Sequence, residues 1–488
     1  MSDLHQIHVG PRGTFQRSGT VQTTPADIDR IIAYIEQNQL DRIGLYLHGG
    51  LVDEAAGMAG AERFKQVFAG AGAHGISLVW ETGWWETIEK NLITVFSTQL
   101  FRWLVEKVIE KLMRQFTGIG AKGPGGTEVE KAALLQDANV NAEFTNQARP
   151  RLEELSARQL EQWRQEWVAE IEMDIESDEQ FQSWYLDAAE RTKFFDDPTQ
   201  PVESDPRAPR DRAVVTWIAV ASKIAAIAYR VGVRFWNGRD HGLHATVVEE
   251  VFREFYLADL VKTMEWDNMK LAAREMWLPN DGLADLNQHV GTYLLERILA
   301  LKERRPNLTI DLVAHSAGAI LTCEWCATIR RRYPGQLKFR NIIFLAPAAT
   351  SLHVYTHMLQ GDRLFSDFYL FTMPDELESR DPVLLPAHAA LQVVYPSSLL
   401  YVVSGMFEDE VDAPLLGMVR FASGQPPFDS QKLQKIREFL HQPGKQRLTL
   451  SSRNAQEDPA ALASQATSHG AFSSDPRTMQ SIQTIMRR

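Results

Sequence analysis

Cysteine is nearly missing from this chain: two residues, Cys323 and Cys326, occur in 488. Two thiols three positions apart cannot staple a chain of this size, which excludes a disulfide scaffold and points to a reducing compartment. No uninterrupted apolar run of about 20 residues is found, so no membrane span is expected. Basic residues are in deficit, with 51 Lys and Arg against 63 Asp and Glu and a net charge of −12. Such a balance disfavours nonspecific nucleic-acid binding, which depends on neutralising phosphates. The first residues, MSDLHQIHVGPRG, have neither the basic start nor the apolar core of a secretory signal. These absences together predict a soluble, cytoplasmic protein.

What is present is an ordinary globular composition, 44% hydrophobic and 23% charged, on a chain long enough for more than one domain-sized unit. The first 90 residues alternate strand and helix signals. QIHVG and GTFQRSGTVQT read as short strands. A helix should begin at Thr24-Pro25 and run through ADIDRIIAYIEQNQ, because a cap, a proline and helical apolar spacing coincide there. RIGLYLHGG is a short apolar run ending in glycines, as buried parallel strands do. A helix over DEAAGMAGAERFKQVFAGAG and a strand over HGISLVWETG follow.

From Trp84 to about Met276 the alternation stops and helical spacing dominates. Ile88, Leu92, Phe96, Leu100, Leu104, Val108, Leu112 and Phe116 recur every four residues, a long apolar helical stripe. Strand–helix alternation resumes afterwards. DLNQHVGTYLLERILALKERR, AGAILTCEWCATIRRRY and QKLQKIREFLHQPG read as helices. LTIDLVAHS, RNIIFLAPA, DFYLFTMP and SLLYVVSGM read as strands, and PAHAALQ as a helix carrying His388. The expected architecture is α/β: a mostly parallel sheet formed by residues 1–90 and 277–488, interrupted by an all-helical insertion over 91–276.

Function is most legible at Asp311–Ile320, DLVAHSAGAI. Here a strand meets a helix at Ala314-His315-Ser316-Ala317-Gly318. A serine nucleophile at a strand-to-helix elbow needs this pattern: a strained backbone to project its hydroxyl and small residues two before and two after, where strand and helix nearly touch. The alternative is a helix-capping serine. The helix that follows aims its first amides at the same spot. His48-Gly49-Gly50 closes an earlier strand and supplies a glycine-rich turn whose N–H groups can approach a substrate oxygen. The expected oxyanion donors are the backbone of Gly50, or Leu51 in its place, and of Ala317. His48, Gly49 and His315 are expected to line the substrate position; His315 is read as a neighbour rather than the base, since adjacent strand side chains point apart.

LYLHGG and LVAHSAG resemble the oxyanion loop and nucleophile elbow of the α/β-hydrolase superfamily, especially its lipases and esterases. Most members carry glycine where this chain has Ala314, an alanine familiar from Bacillus-type lipases. The resemblance covers about 1–90 and 277–488 and implies the order nucleophile, acid, histidine. It places the acid just past DFYLFTM, where PDELESRDPVLLP offers Asp375, Glu376, Glu378 and Asp381; Asp381, in a D-x-V-x-P-like run, is favoured over Asp375. The base then comes from His388, His441 or His469, with His469 in the small-residue loop QATSHGAFSSDP preferred. The implied activity is cleavage of a carboxylic ester, lipase- or phospholipase-like, through an acyl-enzyme, with no metal or organic cofactor. The competing expectation is a non-catalytic interaction module that binds a protein partner through its Trp-rich helices.

Other signals carry less. Gly118–Gly123 matches G-x-G-x-x-G but follows a helix rather than a strand, so the dinucleotide reading fails. Cys323-x-x-Cys326 lies inside a predicted helix with no second pair, which favours buried small residues over zinc or redox chemistry. RDHGLHATVVEE, with His241 and His244, reads as a polar turn entering a helix rather than a metal site. In the segment 215–236, Lys223, Arg230 and Arg234 share one helical stripe with tryptophans at both ends. That stripe fits peripheral membrane contact, or a packed helix with its arginines at the rim.

Overall fold

The structure is a computed structural model that describes residues 3–50, 54–80, 98–117, 144, 156–186, 210–254, 266–383, 395–453 and 461–488. In chain order its main elements are β1 (Gln6–Val9), α1 (Pro25–Gln37), β2 (Arg42–Leu47), α2 (Glu54–Gly70), β3 (His74–Trp80), α3 (Gln99–Thr117), α4 (Ala157–Ser177), α5 (Glu179–Leu186), α6 (Arg210–Trp236), α7 (Leu243–Glu254), α8 (Asp267–Glu275), α9 (Val290–Arg304), β4 (Thr309–His315), α10 (Gly318–Arg332), β5 (Phe339–Leu345), β6 (Phe365–Thr372), α11 (Gln431–Leu440), β7 (Leu448–Leu450) and α12 (Pro476–Arg487). Short helical turns lie between them, including Ser351–Val354 and Tyr355–Leu359.

The chain divides into two compact units. The first comprises 1–88, 263–381 and 413–488; the second comprises 89–262 and 382–412. The first boundary of the expected insertion is close, but two segments change sides. Residues 263–276 join the first unit because α8 packs on the turn Pro11–Gly13: Arg12 grips Glu275 at 2.7 and 2.6 Å, and Met276 abuts Gly13. Residues 382–412 join the second because Tyr395 and Asp412 bond to the buried end of α7 and its preceding turn.

The first unit is built on a seven-stranded, all-parallel sheet ordered β1-β3-β2-β4-β5-β6-β7. All seven residues of β3 are buried, as they must be when helices cover both faces of a parallel sheet. α1 opens on Thr24, whose N–H and hydroxyl bond to Asp27, and presents Ile28, Ile31, Ile32 and Ile35 to the core. From β2 to β3 the chain steps one way across the sheet; from β3 it jumps past β2 to β4 and continues the other way. The strand order therefore reverses between β2 and β4, and ligands of open α/β sheets bind at such a point, beyond the carboxyl ends of the strands. Leu47 pairs with Ala314, so the residues that follow on each strand, His48-Gly49-Gly50 and His315-Ser316, emerge side by side.

Two predicted strands are not strands. GTFQRSGTVQT contributes a single bridge, Thr14 to His289. Beyond it the N–H groups of Thr20 and Val21 are taken by the Glu54 carboxylate at 3.0 and 3.3 Å, which leaves no ladder for them to join. SLLYVVSGM is helical over Leu399–Val402 and continues as a wider turn over Val403–Phe407. Every residue from Leu400 to Phe407 is buried, and a short run buried all round carries no period to separate strand from helix. β7, only three residues long, and α12, capped by Asp475 through Thr478 N–H at 2.8 Å, are elements that the sequence reading did not assign. PAHAALQ with His388, and the Gly118–Gly123 motif, lie outside the described residues.

In the second unit, Leu100, Leu104, Val108, Leu112 and Phe116 of α3 are buried, as the four-residue spacing predicts. α4 packs on α6, and α7 packs on both α6 and α3. The cationic stripe of α6 is occupied within this unit. Arg230 pairs with Glu250 at 2.8 Å and Glu254 at 2.7 Å, and Arg234 with Glu249 at 2.6 Å and Glu250 at 3.2 Å. Arg234 is buried. Two of the three cations of the stripe are thus paired within this unit. Among the described residues no helix is long and apolar enough to cross a membrane.

Candidate active site

Ser316 closes β4 with φ at 51°, a left-handed conformation that costs a non-glycine residue about 1–2 kcal/mol. Three backbone bonds hold it there. Its N–H donates to Leu345 O at 3.0 Å, and its carbonyl accepts from Ala348 at 3.0 Å and Ala319 at 3.1 Å. α10 leaves the elbow so close to β2 that a Cβ on Gly318 would sit 2.4 Å from Leu47 O and 3.1 Å from His48 O. Ala314, buried at the end of the Leu47 pair, fits the remaining space. The sequence expects an openly projecting hydroxyl; instead Ser316 is only 4% exposed, with its Oγ turned to a histidine.

That histidine is His469, whose Nε2 lies 2.9 Å from Ser316 Oγ. It opens the turn His469–Ser473 just ahead of α12. Burial, reinforced by the ring of His315, holds its pKa well below the ordinary histidine value, so the ring is neutral near neutral pH, the form a general base needs. His441, the other C-terminal candidate described, is an exposed residue at the end of α11. Of the candidate acids, Asp381 is the one that bonds to His469, but through the backbone: its Oδ2 accepts the His469 N–H at 2.7 Å. Burial raises the Asp381 pKa, and that N–H partly offsets the rise. Among the described residues the ring Nδ1 of His469 is buried without a hydrogen-bond partner. Asp375 opens the short helix Asp375–Glu378.

The two histidines expected near substrate are both held by hydrogen bonds to the backbone. His48 Nε2 accepts the Trp80 N–H at 3.1 Å, so its proton sits on Nδ1, which donates to Gly49 O at 2.7 Å. Trp80 Nε1 donates back to His48 O at 3.1 Å. This clamp fixes the glycine turn beside Ser316, where a Cβ on Gly49 would lie 3.0 Å from Ser316 Cβ. His315 donates from Nε2 to the carbonyl of His469 at 3.0 Å. Thus His469 is held from both sides of its backbone, by Asp381 at its N–H and by His315 at its carbonyl. Burial pushes both His48 and His315 down to about 4, so neither carries charge near neutrality.

Of the expected oxyanion donors, Gly50 and Ala317 are described and buried at the ends of β2 and β4, and Leu51 lies outside the described residues. Ala317 precedes the first turn of α10, where backbone N–H groups have no partner within the helix. Cys323 and Cys326 are free, buried thiols inside α10; burial drives Cys326 up to about 12 and Cys323 up as well, which removes thiolate chemistry. His241 lies in the turn that enters α7, as expected, but it is buried. Its Nδ1 faces Glu249 at 2.7 Å and its Nε2 faces Asp412 at 2.6 Å, and two acceptors require protons on both nitrogens. The sequence signal for this buried cation was the pair of glutamates eight and nine residues beyond it, but its second partner, Asp412, is 171 residues away.

Neither a scan against protein-family models, nor a search of the curated proteins, nor a search of the solved structures returned a match.

Proposed function

We propose that the chain is a serine hydrolase of carboxylic esters, built on an α/β-hydrolase-type core with an inserted helical unit. The observation that carries this reading is the 2.9 Å contact between His469 Nε2 and the hydroxyl of Ser316, a serine held at positive φ on a strand-to-helix elbow. His469 takes the Ser316 proton as Oγ attacks the ester carbonyl. The developing oxyanion is stabilised by backbone N–H groups of Ala317 and the Gly50 turn. His469 returns the proton to the leaving alcohol, and a water activated by the same ring clears the acyl-enzyme. Asp381 sets the position of the base. The lipase- or phospholipase-like substrate range follows from the resemblance of LYLHGG and LVAHSAG, and none of these steps calls for a metal or organic cofactor.

The test is covalent labelling by a small fluorophosphonate. Labelling of the wild type that vanishes in Ser316→Ala and falls steeply in His469→Ala supports the hydrolase. A folded wild type that takes no label, and turns over no chromogenic ester, returns the chain to the alternative of a non-catalytic module that binds a protein through its helices.

A further inference from the structure

The clearest unassigned chemistry in the first unit lies midway along α10. Glu324, His353 and His357 bring one ligand atom each to within 4.8 Å of one another. His353 and His357 are four apart on the continuous helical stretch Ser351–Leu359, so both project from one face, and their rings meet edge to face at 4.5 Å. Glu324 reaches them from α10, with its Oε1 at 3.4 Å from His353 Nε2. At that length the contact is a weak one, and His353 Nε2 has no shorter hydrogen bond among the described residues. A largely buried carboxylate and two imidazole nitrogens therefore lie close enough to share one ion.

We propose that Glu324, His353 and His357 bind one divalent transition-metal ion of the zinc class, with the fourth position left to water. The donor set is two imidazoles and one carboxylate, which suits zinc and cobalt rather than the soft cuprous ion. Cys323 adjoins Glu324 in sequence, but its Sγ is spent on Met358 at 3.7 Å, so sulfur is not a ligand. Ligand atoms around a tetrahedral zinc sit about 3.3 Å apart, so donors that lie within 4.8 Å of one another would draw in around the ion. Two guanidiniums oppose the ion. Arg274 stands 3.8 Å from Glu324 Oε1 and is largely exposed; Arg330 is tied to the carbonyls of Thr356, Met358 and Asp362.

The site is not an extension of the serine chemistry. Glu324 is eight residues beyond Ser316, roughly 12 Å along the helix. Its effect is to cross-link α10 to the stretch that follows β5, the same stretch whose Ala348 N–H holds the Ser316 carbonyl.

The experiment uses the full chain, free of any histidine tag and stripped with a chelator, titrated with Zn²⁺ against a chromophoric competitor and with Co²⁺ by visible absorption. The expected result is one equivalent bound, a cobalt ligand-field band of four-coordinate intensity, and a raised melting temperature on loading. His353→Ala and His357→Ala should each weaken zinc binding by at least about tenfold, with circular dichroism verifying the fold. A wild type that binds no zinc, or a folded His353→Ala/His357→Ala chain that binds it as tightly as wild type, overturns the proposal.

Discussion

Asp381 accepts a hydrogen bond from the main chain of His469, Oδ2 to N at 2.7 Å, while the ring Nδ1 of the same histidine is buried with no described partner. The carboxylate thus fixes where His469 sits, through its main chain rather than its ring. Catalytic hydrogen bonds are often incomplete without substrate, and a neutral ring that donates from Nδ1 gains most from a carboxylate when it becomes a cation.

Asp381→Asn should therefore lower kcat by about 10²–10⁴ and weaken the fold as well, because an amide accepts the His469 N–H less strongly than a carboxylate. Asp375→Asn, on the short helix Asp375–Glu378, should leave kcat within about twofold of wild type. Steady-state kinetics on one chromogenic ester, with urea melts of both variants, checks the pair. Equal losses in the two variants, or none in Asp381→Asn, would remove Asp381 from the site.

Gly318 tests the elbow by crowding. A Cβ there meets the carbonyls of Leu47 and His48 at 2.4 and 3.1 Å, and main-chain atoms of a central strand have nowhere to go. Gly318→Ala should cost about 3 kcal/mol, at the upper end for overpacking, and abolish fluorophosphonate labelling. Ala314→Gly makes the opposite change at the other small position and should cost only about 0.5–1 kcal/mol, the penalty for glycine in a strand, with labelling retained. Denaturant melts and a labelling time course on the two variants separate these outcomes.

The elbow was legible because its geometry is local: a strand, a small residue, the serine, a glycine and a helix occupy adjacent positions. The helical stripe of α3 was legible for the same reason, since every apolar repeat faces one side. What stayed hidden depends on distant partners. Nothing near His315 in sequence announces that its ring will hold the carbonyl of His469, 154 residues on, and nothing near Arg230 or Arg234 shows that α7 will neutralise them. SLLYVVSGM failed for another reason, because full burial erases the periodicity that separates strand from helix.

The buried neutral histidines make stability fall with acid. His48 and His315 titrate near 6.5 when unfolded and at about 4 when folded. Between those values the unfolded chain binds more protons, so stability is complete above about pH 6.5 and drains away as pH falls toward 4. Each ring accounts for about 3 kcal/mol over that window at 1.36 kcal/mol per unit. His241 is shifted upward by Glu249 and Asp412 against its burial and runs the other way, losing its contribution as pH rises through its folded value. Urea melts at about pH 7.5 and about pH 5 should show the loss, and His48→Asn should flatten the slope. A slope unchanged in that variant would mean that His48 is not neutral in the folded chain.

The ion cluster of the second unit sets the last expectation. Glu249 is fully buried, and it meets Arg234 at 2.6 Å, the ring of His241 at 2.7 Å and the hydroxyl of Tyr395. Its carboxyl is held down to about 2 by Arg234 and His241, against the effect of burial, so it is charged at every working pH. Glu249→Gln removes one charge and leaves two buried cations short of a counterion, a change that costs about 3–5 kcal/mol in buried pairs. Glu376→Gln, on an exposed carboxylate paired with Arg380 at 3.1 Å, should stay within about 0.5 kcal/mol of wild type. Guanidinium melts of the two variants decide the matter: a Glu249→Gln chain as stable as Glu376→Gln would show that His241 has given up its proton and that the cluster is held by fewer charges than its geometry implies.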